Sequence, residues 1–188
     1  YFVDDLFVTD QNWLDTFMDL YKKSGLKMLW KCLGRVDQVE ESTYVKMKDA
    51  GCFLLQFGVE AGDEEILKSI RKGITIEKAA RAVKSCQKAG INAATFFILG
   101  HPGETYQTVI KTIQAARQIN ADIYNIFVLV PFPGTYNYQF VPDEMKKNWA
   151  SIRYYHKNGY PSSLCQLKPE ELYLLEKQAR YEFYGRFE

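Results

Sequence analysis

The residues with the most chemical potential in this chain stand where apolar runs end. Asp4-Asp5 close the first such run, and Gly34-Arg35-Val36-Asp37 follow the second. Gly58-Val59-Glu60-Ala61-Gly62 close the third, and Ile98-Leu99-Gly100-His101-Pro102-Gly103-Glu104-Thr105 the fourth. An aspartate accepts from an ammonium group, and the planar fork of Arg35 matches a carboxylate. Glu60, acceptor-only when ionised, can take two hydrogen bonds from a sugar diol. Gly100 has no side chain, so the main chain from Ile98 to Gly100 can approach the edge of a flat base. Together these groups suit a zwitterionic ligand that also carries a sugar and a base. The plainer alternative is internal ion pairing, Arg35 with Asp37 or Glu60, plus ordinary turn glycines.

The elements that position these residues repeat one plan, a strand followed by an amphipathic helix that stops at a turn residue. Strands are expected at Phe2–Val8, Leu26–Leu33, Cys52–Val59, Ile91–Leu99 and Ile123–Val130. Helices are expected at Asp10–Ser24, Val39–Ala50, Asp63–Arg71, Glu77–Ala89 and Thr105–Ile119, from apolar residues at helical spacing and from glycines that follow. Such alternation argues an α/β fold with a parallel sheet, doubly wound or barrel-like. Both solutions collect ligands at the carboxyl ends of the strands. Beyond Gly134 the pattern changes to a loop rich in Tyr, Asn and Lys. A short helix is expected near Asp143–Tyr155, and a capping helix from Lys168 to about Tyr184 with Leu172, Leu175, Ala179 and Phe183 inward. The domain reading is therefore 1–134 for the strand–helix array and 135–188 for a C-terminal extension.

Composition narrows the classes. With 24 basic and 23 acidic residues the net charge is +1, which leaves no global field for nucleic acid or anionic lipid. The longest apolar stretch, 121–132, is broken by Asp122 and Asn125 and is too short to span a bilayer. Cys32, Cys52, Cys86 and Cys165 lie 20, 34 and 79 residues apart, far from the close spacing of a zinc or iron–sulfur site. They read as small buried hydrophobes in a reducing cytoplasm, and no metal site is expected. His101 is either a proton-transfer group at a strand end or packing in the turn before Pro102, the second being favoured. His156 reads as solvated. Tyr136, Tyr138, Trp149, Tyr154, Tyr155 and Tyr160 either line a flat substrate or cap the array. The chain opens in mid-pattern with Tyr1-Phe2-Val3 and no initiator Met, so a longer parent polypeptide is expected.

Six motifs in order carry a resemblance. They are Phe2-Val3-Asp4-Asp5-Leu6-Phe7, Cys32-Leu33-Gly34-Arg35-Val36-Asp37, Lys48-Asp49-Ala50-Gly51-Cys52, Gly58-Val59-Glu60-Ala61-Gly62, Gly100-His101-Pro102-Gly103-Glu104-Thr105 and Pro131-Phe132-Pro133-Gly134-Thr135. The series resembles the radical S-adenosylmethionine (radical SAM) superfamily over about residues 1–140. It most resembles the cobalamin-dependent branch that includes the anaerobic magnesium-protoporphyrin IX monomethyl ester oxidative cyclases. Phe183-Tyr184-Gly185-Arg186 is similar to that group as well.

The resemblance implies a partial TIM-like (β/α)6 barrel, with parallel strands in sequential order from the second to the sixth. It implies S-adenosylmethionine held by Asp4 or Asp5 at its amino group, Arg35 at its carboxylate, Glu60 at the ribose, and Ile98 to Gly100 at adenine. Ala61 replaces the serine common in relatives and removes one hydroxyl contact. A 4Fe–4S cluster, and with it cobalamin in some relatives, would be held by residues outside this chain. The family's three-cysteine loop has no counterpart here, so the isolated chain is expected to be inactive. In an intact parent the cluster would reduce S-adenosylmethionine to a 5′-deoxyadenosyl radical that abstracts hydrogen from an unactivated carbon, the cofactor carrying the chemistry. The expected substrate is a small or tetrapyrrole-like molecule, with the upstream part of the same polypeptide as partner. Two other readings stand beside it: a non-catalytic βα scaffold, and a non-radical α/β enzyme using Glu60 as base. The latter lacks any nucleophile–base pair or phosphate-binding glycine fingerprint.

Overall fold

The computed structural model describes residues 1–8, 10–147 and 164–185. Four parallel strands form one sheet in the order β1-β2-β3-β4: β1 Trp30–Gly34, β2 Cys52–Glu60, β3 Asn92–Leu99 and β4 Ile123–Val128. Sequential order is what consecutive strand–helix units curling one way produce, and it excludes the interrupted order of a doubly wound sheet. The helices are α1 Gln11–Lys23, α2 Glu41–Asp49, α3 Glu64–Ser69, α4 Ile76–Lys88, α5 Tyr106–Ile119, α6 Asp143–Lys146 and α7 Pro169–Tyr184. A 3-10 turn covers Tyr136–Phe140.

Local chemistry fixes the helix starts. Asp10 caps α1 by accepting from the Trp13 N–H, Thr75 caps α4, and Asp63 accepts from the N–H groups of Glu65 and Ile66 at α3. Pro169 opens α7, and the Glu171 carboxylate accepts from the Lys168 N–H at 2.6 Å. Leu172, Leu175, Ala179 and Phe183 are buried along that helix, as its periodicity predicts. Arg180 donates to the Ile126 carbonyl at 2.6 Å and lies over the Phe127 ring, which fastens α7 to the end of β4.

The expected strand over Phe2–Val8 does not form, so among the described residues the array has four strands rather than five. In an extended strand, side chains five positions apart point to opposite faces. Here a turn at 5–7 brings Phe2 and Phe7 to the same side, stacked at 4.4 Å between centroids. Phe17 and Trp30 pack against both rings, and Trp13 joins them against Phe7. The segment still runs beside β1, with Phe2 N–H donating to Lys31 O and Phe7 N–H to Leu33 O. Aromatic packing has overridden strand propensity there.

Two strand limits also differ from expectation by more than one residue. β1 starts at Trp30 instead of Leu26, because Trp30 is already level with Cys52, where its neighbour begins. Leu26, Met28 and Leu29 stay exposed. β4 ends at Val128 instead of Val130. Leu129 N–H makes a last bond to Leu99 O at 2.7 Å, and Pro131 has no N–H to continue the ladder.

The chain divides into two compact units. The first comprises Tyr1–Val59, Gly73–Phe96 and Ala115–Asn125; the second comprises Glu60–Lys72, Phe97–Gln114 and Ile126–Glu188. Among the core residues of the first are Leu14, Met18, Tyr44, Met47, Leu55 and Phe57. The second buries Leu67, Leu99, Val109, Val128 and Leu172. No helix among the described residues is long and apolar enough to cross a membrane. Trp149, Tyr154, Tyr155, His156, Tyr160 and Arg186, with the later part of the helix expected at Asp143–Tyr155, lie outside the described residues.

Candidate functional site

Asp4, Asp5 and Arg35 belong to the first unit. Asp4 and Asp5 are exposed beside the turn that replaces the expected strand. Arg35 follows β1 and forks onto Asp37, its Nε and Nη2 each 2.9 Å from a carboxylate oxygen. That pair is the internal ion pairing the sequence allowed. The Asp37 contact holds the arginine further into its charged range, and Arg35 in turn holds the Asp37 carboxyl below the usual aspartate value.

Glu60, Ile98 and Gly100 belong to the second unit. Glu60 ends β2 with φ of 76°, a left-handed conformation that non-glycine residues seldom adopt. Its Oε1 accepts from the Lys72 ammonium at 2.9 Å, both side chains being about one-fifth exposed. In the sequence, the place of Lys72 beside Gly73 gives no sign of a carboxylate partner across the loop.

Gly100 has φ of +95° after β3, and a Cβ there would meet Leu172 Cδ1 at 3.1 Å. Its N–H and that of His101 both donate to Glu104 Oε2, at 2.6 and 2.9 Å. Glu104 is thus a clamp on the backbone expected to meet adenine. It is wholly buried, its Oε1 has no hydrogen-bond partner, and the Gln166 N–H binds its backbone carbonyl. Burial pushes its carboxyl up to about 7, against the pull of the two N–H donors, with the Asp63 charge adding to the rise.

His101 is 5% exposed and neither ring nitrogen has a hydrogen-bond partner. Burial lowers its pKa to about 4, the backbone of Glu60 opposing weakly, so it is neutral at physiological pH. Asp63 pairs with Lys111 at 2.8 Å, which with its helix-capping bonds holds its carboxyl below the usual range. Sequence reasoning passed over Glu104 as a site residue. The available signal was a carboxylate four positions after a strand-ending glycine, close enough to fold back on its N–H.

Among the described residues no three His, Cys, Asp or Glu side chains could hold a metal ion. Cys32, Cys52 and Cys86 are buried, and burial pushes the Cys86 thiol up to about 12, far from a thiolate ligand. A 4Fe–4S cluster therefore does not fit the residues described. On anaerobic reconstitution with iron and sulfide, this chain alone is expected to retain far fewer than the about four irons of one such cluster. Stoichiometric iron with a cluster-type paramagnetic signal after reduction would refute that.

The family model for the radical SAM superfamily matches residues 11–116. The chain belongs to that superfamily, whose enzymes use S-adenosylmethionine and a 4Fe–4S cluster. It is 30% identical over 188 residues to an uncharacterised methyltransferase of Pyrococcus horikoshii, covering 98% of this chain and 40% of the relative. It is 29% identical over 126 residues to the anaerobic magnesium-protoporphyrin IX monomethyl ester cyclase of Rubrivivax gelatinosus, covering 66% of this chain and 23% of that protein. Its fold matches the radical S-adenosylmethionine methyltransferase TsrM of Kitasatospora setae, solved with cobalamin and a 4Fe–4S cluster, at a TM-score of 0.59 and 23% identity. That match covers 66% of this chain and 26% of the other. The chain thus spans two-fifths or less of the length of these proteins.

Proposed function

We propose that this chain is the S-adenosylmethionine-binding part of a cytoplasmic radical SAM methylase or cyclase that modifies a small, tetrapyrrole-like molecule. Methylation is the first reading, supported by the relative that matches across 98% of the chain being named a methyltransferase. Cyclisation is the second, supported by the magnesium-protoporphyrin relative. In this reading residues 1–134 are barrel and 135–188 an extension. The cluster ligands, and those of any cobalamin, lie elsewhere in the polypeptide, and the chain by itself is inactive.

The observation that carries the reading is Glu60. A carboxylate held at positive φ on the last residue of a strand costs about 1–3 kcal/mol, and such strain concentrates where ligands are gripped. Lys72 engages one carboxylate oxygen of Glu60 and orients the other for an incoming diol. Arg35 exchanges Asp37 for the ligand carboxylate, and the Glu104 clamp holds the Ile98–Gly100 backbone still against the base. Asp4 or Asp5 takes the ammonium. S-adenosylmethionine, with a cluster held elsewhere in the polypeptide, would supply the hydrogen-abstracting chemistry; these residues would bind and orient it.

The test is S-adenosylmethionine affinity in the intact enzyme. Glu60→Ala and Arg35→Ala are each expected to weaken binding by about 1–3 kcal/mol, because each leaves polar ligand groups unpaired. Iron content should not change. Unaltered affinity in both variants would remove the ribose and carboxylate assignments.

A further inference from the structure

The second unit contains a cleft of about 610 Å³, within the size range of small-molecule sites. Ser69 borders it at the end of α3 and Arg71 just after that helix, Pro102 in the turn after β3, and Tyr136, Asn137 and Phe140 in the 3-10 turn after β4. Each of these segments lies in the connection that leaves the carboxyl end of a strand, Ser69 and Arg71 beyond the short α3, and such connections are where strand–helix arrays collect their ligands.

Two features of the lining are unusual for bare surface. Tyr136 is 77% and Phe140 49% exposed, and the two rings meet edge to face at 5.5 Å between centroids. Paired exposed aromatics leave apolar area in water that a flat ligand would cover. Arg71 lines the same cleft, at φ of 55°, a backbone position suited to glycine or asparagine. Its N–H closes α3 onto the Lys68 carbonyl, and its exposed guanidinium makes no hydrogen bond or ion pair with any described residue. The neighbouring Lys72 is engaged by Glu60, which leaves Arg71 as the cation that the described residues present to the cleft. Among the described residues no carboxylate lines the cleft.

We propose that this cleft binds the substrate, and that the substrate is an organic anion with a flat apolar body. Its carboxylate lies on the Arg71 fork and its ring system against Tyr136 and Phe140. A guanidinium at the cleft wall repels the cations that aromatic cages otherwise recognise. Among the described residues Arg71 is the one basic side chain in the lining, since Lys68 lies outside it and Lys72 is held by Glu60, which suits a small-molecule anchor rather than a nucleic-acid track. Calling the ligand the substrate rests on the function proposed above; the binding chemistry does not.

The experiment is fluorescence titration of the intact enzyme with 1-pyrenebutyrate, neutral 1-pyrenebutanol and a decauridylate competitor. S-adenosylmethionine binding and far-ultraviolet circular dichroism are measured on the same samples. Arg71→Gln is expected to weaken pyrenebutyrate by at least about tenfold, the scale of one charge-assisted hydrogen bond, and to leave pyrenebutanol unchanged. Tyr136→Ala should weaken both. Pyrenebutyrate affinity indifferent to Arg71→Gln, equal losses for the two probes, or displacement by decauridylate at matching concentrations would each overturn the cleft assignment. If S-adenosylmethionine fails to bind while pyrenebutyrate follows this pattern, the proposed function falls and the anion cleft stands.

Discussion

Gly51→Ala is expected to unfold at clearly lower urea than the parent, with about 2–4 kcal/mol lost, while Gly25→Ala loses only about 1–2 kcal/mol. Both glycines follow helices, and both have left-handed φ, +90° at Gly51 and +71° at Gly25. The backbone cost of a side chain is therefore common to the two. What differs is the space. A Cβ at Gly25 meets nothing within 4 Å, whereas one at Gly51 falls 2.9 Å from the Met28 carbonyl oxygen.

That oxygen is backbone and cannot rotate aside. Gly51 O accepts from the Trp30 N–H, and Trp30 Nε1 donates to Ala50 O at 2.6 Å. Pushing Met28 and Gly51 apart strains both bonds at the first residue of β1. Trp30 also anchors the aromatic cluster that holds the N-terminal segment, so the loss should propagate to Phe2 and Phe7. Equal denaturation midpoints for the two variants would show that the Met28–Gly51 approach yields without cost.

Much of this arrangement was legible in the residues. Helices α1, α4 and α7 follow from apolar spacing and from a glycine or proline at one end, α5 follows from apolar spacing alone, and sequential strand order follows from short strand–helix repeats. Failure came where tertiary packing outweighed local pattern. Phe2–Val8 alternates like a strand, yet the aromatic rings of α1 and β1 draw Phe2 and Phe7 to one side.

The candidate residues divide in the same way. Glu60 and Gly100 were legible because they sit at strand ends, where backbone geometry is special. Glu104 was not, since nothing in a carboxylate's identity says that it will be wholly buried on two N–H groups. Lys72 and Arg71 escaped notice for a related reason: a lysine and an arginine before a glycine look like any helix stop.

Glu104→Gln is expected to gain stability relative to the parent as pH rises from 5 to 8, by about 2–3 kcal/mol. In the folded parent the Glu104 carboxyl titrates near 7, raised from an ordinary value of 4.5. Between those values the unfolded chain is ionised and the folded one is not, so the folded state binds more protons there. Stability contributed by Glu104 is thus full below pH 4.5 and lost as pH rises through 7. His101 runs the other way. Its pKa, lowered from 6.5 to about 4, gives stability that is present above 6.5 and lost as pH falls toward 4.

The two buried groups oppose each other over nearly one window, so the parent should show a shallow dependence between pH 5 and 7. Glutamine keeps an oxygen to accept from the Gly100 and His101 N–H groups, so the clamp survives. The buried amide adds a constant offset, and only the pH-dependent difference reports on titration. With Glu104 removed, the His101 slope emerges, and the variant should lose stability steadily on acidification from 6.5. Asp37 and Asp63, both held low by cationic partners, titrate in parent and variant alike and cancel in the difference. Urea unfolding at pH 5, 6, 7 and 8 measures the effect. Parallel stability curves for the two proteins would mean that Glu104 is ionised throughout, with its two N–H donors outweighing burial.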